Sequence, residues 1–395
     1  MNEAYIEYFS RDRLKKIKDY RPTVSVDGKC YYVSAQGDDN NSGLSPEDAL
    51  KTLSAVKSLS DKLTAGDAVL FRCGDIFRGG LPIIPGVTYS SYGTGDKPRL
   101  YGARVNAVTL EWKLIKENVY ATDVTGYSDI GCIIFNEGES WGYKKLYEGD
   151  TDVLLEGDFY HDEKNSTLYL YTEKGNPATA FYDIEIGERQ NIMYGKPDNS
   201  TIDGLVLKYT GAHGMGFSSL EYSESTGVVF NGLKGLTVRG CEFEWIGGSQ
   251  LCKGLRYGNG FEIWGGCDNL IIENCYFNQI YDSALTYQYK GECRNPVTIT
   301  NSVTRGNLFD MCPASYEYYL SEEADGKINP DSDFCFKNVE FSDNICRRSG
   351  YGWGMQRPDR AYACHVQSWG HYNKSENFVI KNNIFDRGDN GLLYI

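Results

Sequence analysis

Apolar positions in this chain come in short, closely spaced runs. Residues 261–264, 270–272, 275–277 and 284–287 are each three or four residues of FEIW, LII, CYF and ALTY type, bounded by Gly, Asn or Asp. Such runs are too short for a helix, and the turn residues between them mark strands. The stretch then recurs. LTVRGCEFEWIGG (236–248) repeats as LIIENCYFNQIYD (270–282), VTITNSVTRGNLFD (297–310), VEFSDNICRRSGYG (339–352) and FVIKNNIFDRGDNG (378–391), and TIDGLVLKYTGAHG (201–214) is a weaker copy. Aligned on the residue after the first turn, the copies place Leu205, Cys241, Cys275, Ser302, Asn344 and Asn383 in one column, with gaps of 36, 34, 27, 42 and 39 residues.

A constant strand–turn–strand unit with variable loops is the pattern of a solenoid, and because the units are all strand it predicts a parallel β-helix. Each coil buries its apolar face only against its neighbours, stacked at about 4.8 Å per rung. Small and amide side chains in the column are expected to point inward and bond between coils.

Other segments read differently. Residues 1–29 predict an arm with a short helix through Tyr5, Phe9, Leu14 and Ile17. Residues 30–105 begin with the strand CYYVSAQG, a polar loop DDNNSG and the helix start Ser45-Pro46-Glu47-Asp48, followed by an apolar stripe of Leu50, Leu53, Val56, Leu59 and Leu63. Strand AVLFRCG follows, and early coils run to 105. Residues 106–195 break the repeat with alternating strands and Asn, Gly and Asp turns, which predicts a small antiparallel β-sandwich insertion carrying Glu137, Glu139, Trp141 and Tyr143. Coils then occupy 196–395, and the last, GLLYI, has no capping element after it. That end is expected to be sticky, with self-association through the uncapped coil.

The recurring coils, with the order strand, Gly/Asp loop, capped helix and AGDAVLFRCG before them, resemble right-handed parallel β-helix carbohydrate-active proteins of the glycoside hydrolase and polysaccharide lyase type. The resemblance implies an all-β, right-handed parallel β-helix with an N-terminal capping helix over the first coil and an inserted β-sandwich near the active face. It also implies an oligo- or polysaccharide substrate.

Composition narrows the classes. A net charge of −14 argues against nucleic acid and anionic membrane surfaces, and disfavours a strongly polyanionic substrate. The 12 cysteines form no CxxC pair, and several fall at core-strand positions where a thiol behaves as a small hydrophobe. The acidic loop 38–43 could hold Ca²⁺ but lacks EF-hand spacing, and no metal constellation is seen, so no cofactor is expected. The opening twenty residues are charged, without the apolar core of a signal peptide. A cytoplasmic protein is expected unless an export signal has been removed.

The chemistry is expected on the strand preceding each repeated core: FEIW, ALTYQ, SYEYY, CHVQSW and GLLYI. Period-2 alternation sends Glu262, Trp264, Thr286, Gln288, Glu317, Tyr319, His365 and Gln367 outward on one face. Loops 246–260, 280–282, 305–314 and 349–363 enter these strands and bring Arg256, Asp282, Asp310, Arg357 and Asp359 to the same border. Glycosidic cleavage needs two carboxyl groups, one acid and one base or nucleophile. Glu262 and Glu317 stand at equivalent positions two coils apart, with Asp282 on the coil between, so these three are the catalytic candidates. Trp264, His365, Gln288, Gln367, Arg256, Arg357 and Tyr319 are the candidate substrate-binding set. The reading is a glycoside hydrolase acting on a plant or host glycan. Its alternatives are a polysaccharide lyase on a uronate polymer and a non-catalytic glycan-binding β-helix.

Overall fold

The computed structural model describes residues 3–146, 153–223, 227–357, 363–369 and 374–395. Three parallel sheets wind around one apolar interior. The first sheet includes Ala68–Arg72, Thr237–Arg239, Ile271–Glu273 and Thr298–Arg305; the second includes Glu242–Ile246, Tyr276–Ile280 and Leu308–Asp310; the third includes Phe261–Trp264, Leu285–Gly291 and Ala314–Ala324. The chain visits them in that order in every coil, which is a parallel β-helix. Aromatic residues stack between rungs inside it: Phe243 lies 4.5 Å from Phe277, and Phe277 lies 5.0 Å from Phe309.

The register corrects one position of the sequence column. Val238, Ile272, Thr304 and Phe341 are successive partners, so the residue after the first turn of the fourth repeat is Asn307, five residues beyond Ser302. Asn307, Asn344 and Asn383 form the inward ladder, with side-chain bonds of 3.0 and 3.1 Å between neighbours. Asn307 Oδ1 also accepts from the backbone N–H of Cys275 at 2.8 Å. Ser302 is buried elsewhere in the same strand, bonded to Thr300 O. The slip has a local cause: Val297 to Thr300 carries the clearer apolar-polar alternation, and Asn301-Ser302, with Asn301 at φ 50°, imitates the corner at Gly306-Asn307. Residues preceding the column, Gly204, Gly240, Asn274, Gly306, Asp343 and Asn382, all have φ between 53° and 69°, the left-handed conformation a tight corner requires. Residues 305–314 consequently hold the strand Leu308–Asp310 between two corners rather than one continuous loop.

The N-terminal arm is a 17-residue helix, Glu3–Asp19, longer than expected. Leu14 and Ile17 pack on Tyr276, Leu308, Ile345 and Ile384 outside the second sheet, while Tyr5 and Phe9 remain exposed. The lid over the first coil is interrupted. Ser45 caps a short 3₁₀ turn, Leu50 bridges in extended form to Val33, and Thr52 caps a new helix, Leu53–Ser58. All five residues of the predicted stripe are buried in the core nonetheless. No helix among the described residues is long and apolar enough to cross a membrane.

The insertion leaves after Arg99–Tyr101 of the second sheet and returns at Met193–Gly195 of the third. It folds as a three-stranded and a five-stranded sheet around a core that includes Trp112, Ile133, Phe159, Leu168 and Ile186. It therefore rises at the border between the second and third sheets. The hairpin Ser249–Cys252/Leu255–Tyr257 rises there too, two coils further on.

Candidate active site

The outer face of the third sheet carries one column in strict register: Gly216, Glu262, Thr286, Glu317 and Gln367. A parallel column holds Ser218, Trp264, Gln288 and Tyr319. Alternation therefore delivers these outward positions as the sequence implies. Glu262 and Glu317 stand two rungs apart, about 9.5 Å along the stack.

A hydrogen-bond network ties the two carboxyl groups together through the rung between them. Glu262 Oε2 accepts from Asn259 Nδ2 at 2.7 Å and from Gln288 Nε2 at 2.8 Å. Asn259 Oδ1 in turn accepts from the backbone N–H of Ser283, whose Oγ donates to Glu317 Oε2 at 2.9 Å. Glu317 Oε1 accepts from Trp369 Nε1 at 2.6 Å. His213 completes the arrangement. Its Nδ1 accepts from the Asn259 N–H at 3.1 Å, which leaves the proton on Nε2, 3.5 Å from Glu262 Oε1.

The two acids occupy different surroundings. Glu317 is buried, and loss of water raises its pKa above the ordinary glutamate value; hydrogen bonds from Trp369 and Ser283 oppose the rise, and the charge of Glu262 adds to it. Glu262 is less buried, with 13% of its side chain exposed. Trp264 lies beside it, edge-on to Tyr289 at 5.8 Å.

Several predicted residues are placed elsewhere. His365 turns inward, with no exposed surface, its ring stacked 5.6 Å from Phe385 and Nδ1 3.4 Å from Ser315 Oγ. Burial pushes its pKa down to about 4, so it is neutral there. The strict alternation fails because His365 shares the corner with Ser315, Ala284 and Gly260, where two consecutive residues face the interior. Arg256 is buried and turned from the cleft, donating to Gly248 O and Gly131 O and lying 4.3 Å over the Tyr281 ring. It pins the hairpin to the insertion. Asp282 pairs with Arg357 at the border turn, so that arginine is matched by an acid. Asp310 pairs with Arg348. Asp359 lies outside the described residues. Glu139, Trp141 and Tyr143 line a separate cavity of about 250 Å³ in the insertion.

Asn259, His213, Ser283 and Trp369 were not legible as site residues. His213 lies in the preceding coil, and its proximity to Glu262 depends on Gly216: a Cβ at that position would stand 2.7 Å from Asn191 Nδ2 and 3.0 Å from His213 Cδ2. Among the described residues no group of three His, Cys, Asp or Glu side chains is arranged to hold a metal ion.

No family model and no curated protein matches the chain. Among solved structures it is similar to a GH136 lacto-N-biosidase from Eubacterium ramulus, at 12% identity over 98% of this chain and 70% of that one, with a TM-score of 0.36. A glycoside hydrolase gives 11% identity over 90% and 96% of the two chains and a TM-score of 0.42. Pectate lyase Pel9A gives 11% over 93% and 79%, with a TM-score of 0.36. The parallel β-helix itself is shown by the order and register of the three sheets. Hydrolases and lyases both occur among these neighbours, and likeness so distant carries no argument about the chemistry at Glu262 and Glu317.

Proposed function

We propose that this protein is a glycoside hydrolase that cleaves a glycan lying across the third sheet, with Glu317 as general acid and Glu262 as general base. The observation that carries the reading is the pair of linked carboxyl groups on one face, one buried with a raised pKa and one partly exposed. In this mechanism protonated Glu317 donates its proton to the glycosidic oxygen as the bond to the anomeric carbon breaks. Glu262 takes a proton from the water that attacks that carbon from the other side. A separation of about 9.5 Å leaves room for the water and favours inversion. Asn259, Gln288 and His213 hold Glu262 as acceptor, and Trp264 offers an aromatic face to the C–H side of a sugar ring.

The test is turnover of aryl glycosides and plant and host polysaccharides by Glu317→Gln, Glu262→Gln and Asp282→Asn. Each glutamate variant is expected to lose at least about 10²-fold in rate while remaining folded. The Asp282 variant should lose less, because that carboxylate is engaged by Arg357. Full turnover in both glutamate variants would reject the assignment. Unsaturated uronate absorbance among the products would move the protein to the lyases.

A further inference from the structure

Upstream of Glu262, the same sheet runs into a cavity of about 600 Å³. In the outward column Tyr194 precedes Gly216, which precedes Glu262, so the cavity begins about 9.5 Å from the proposed base. Asn191 and Tyr257 belong to both: each lines the cavity, Asn191 Oδ1 accepts from the His213 N–H, and the Tyr257 ring lies 5.1 Å from that of His213. Gly216 contributes no side chain between the two, and Asn191 and His213 close in over it, so these two residues form the wall shared by the cavity and the carboxyl pair.

The charge of this cavity differs from that of the protein. Against a net charge of −14, its lining includes Lys57, Arg78 and Arg189 and no carboxylate. Arg78 is neutralised from behind by two 2.7 Å bonds to Glu185. Lys57 and Arg189 are exposed, and among the described residues neither makes an ion pair; Arg189 spends one N–H on Gln250 O at 3.0 Å. Gln190, on the same wall, has a buried Nε2 without a hydrogen-bond partner among the described residues. Two cations without an ion pair and an amide donor without a partner thus line one cavity, and among the described residues no carboxylate lines it.

We infer that this cavity is a subsite for an anionic substituent, a carboxylate or a sulfate, carried by the glycan a short distance from the bond cleaved. The inference rests on the glycan-cleaving reading of the adjacent carboxyl pair and adds the class of substrate. It is consistent with the overall acidity, which repels a polyanion but admits one charged group seated between Lys57 and Arg189.

The experiment titrates the full-length Glu317→Gln protein with short uronate-containing oligosaccharides, their carboxyl-reduced neutral counterparts and 6-O-sulfated forms of the latter, by calorimetry. The charged members are expected to bind at least about tenfold tighter, with the advantage shrinking as salt is added. Comparison of uronate with sulfate identifies which anion fits. The Lys57→Gln/Arg189→Gln double variant should lose the preference. Lys57→Glu, at an exposed position that leaves Gln250 untouched, should reverse it even where the double variant misfolds. Equal binding of charged and neutral members, or a preference that survives both variants, would overturn the subsite. If neutral glycans bind and the native enzyme cleaves them regardless of charge, the hydrolase reading stands and the subsite falls. If no glycan binds, both fall.

Discussion

Glu317 shows how one residue's surroundings set its role. Its folded-state pKa is raised by burial, so the native protein holds that proton more tightly than the unfolded chain does. The carboxyl therefore favours folding below the ordinary glutamate range, and that contribution is lost as pH rises through the raised value. Glu317→Gln keeps the shape without the buried charge, and it should be more stable than the native protein by roughly 1–3 kcal/mol at neutral pH. Thermal melts from pH 4 to pH 8 should show the difference fading toward acid; a pH-independent difference would contradict the burial argument. In catalysis the sign is the same: kcat/KM should fall as pH rises through this group's pKa. Gly216 acts by absence. Gly216→Ala places a methyl against Asn191 and His213, and turnover should drop roughly 10–100-fold with the fold intact. Unchanged kinetics would show that His213 does not need its present position.

Among the structural elements, the coil corner explains both the successes and the errors of sequence reading. Three left-handed positions recur per coil. The first two fall on Gly, Asn or Asp, as at Gly306 and Asn338, and are legible as turns. The third falls on Tyr209, Trp245, Gln279, Met311, Arg348 and Arg387, with φ between 49° and 60°. Such residues resist that conformation by about 1 kcal/mol or more each, and nothing in their identity announces it. What offsets the strain is packing across coils: Tyr209 and Trp245 join Tyr281 and Trp353 in a buried cluster against the insertion. The amide ladder separates the two alignments of the fourth repeat experimentally. Asn307→Ala removes an acceptor from the Cys275 N–H and two donor bonds, to Ile272 O and Asn344 Oδ1, which should cost about 2–4 kcal/mol in denaturant unfolding. Ser302→Ala should cost about 1 kcal/mol or less. The opposite order would restore Ser302 to the column.

Across the whole molecule, the cavity two rungs from Glu262 is lined by segments far apart in sequence: the lid helix, the return strand of the insertion and the hairpin of the fourth coil. Where the insertion meets that hairpin lies a buried ion pair, with Lys144 Nζ 2.5 Å from Asp129 Oδ1, and Asp129 Oδ2 also accepts from the Gln250 N–H of the hairpin at 2.6 Å. Lys144→Met strands a buried carboxylate and should destabilise the protein by about 3–5 kcal/mol, with faster hydrogen exchange across 249–257. Adding Asp129→Leu should recover part of the stability, because the unpaired charge is then gone. If Lys144→Met leaves hairpin exchange unchanged, the insertion does not brace this wall of the cleft.

Sequence alone was sufficient for the β-helix, the lidding stripe from Leu50 to Leu63, the interrupting insertion and the outward column of Glu262 and Glu317. All of these rest on periodicity and turn chemistry, which are local and repeat in each coil. Tertiary structure decided the rest. It moved the fourth column position to Asn307, turned His365 into the core and Arg256 away from the cleft, and paired Asp282 with Arg357. It also brought His213, Asn259, Ser283 and Trp369 to the two carboxyl groups, and Lys57 and Arg189 to one cavity. Each of these depends on contacts between coils, where a one-residue difference at a corner reverses which way a side chain points, and no local pattern carries that information.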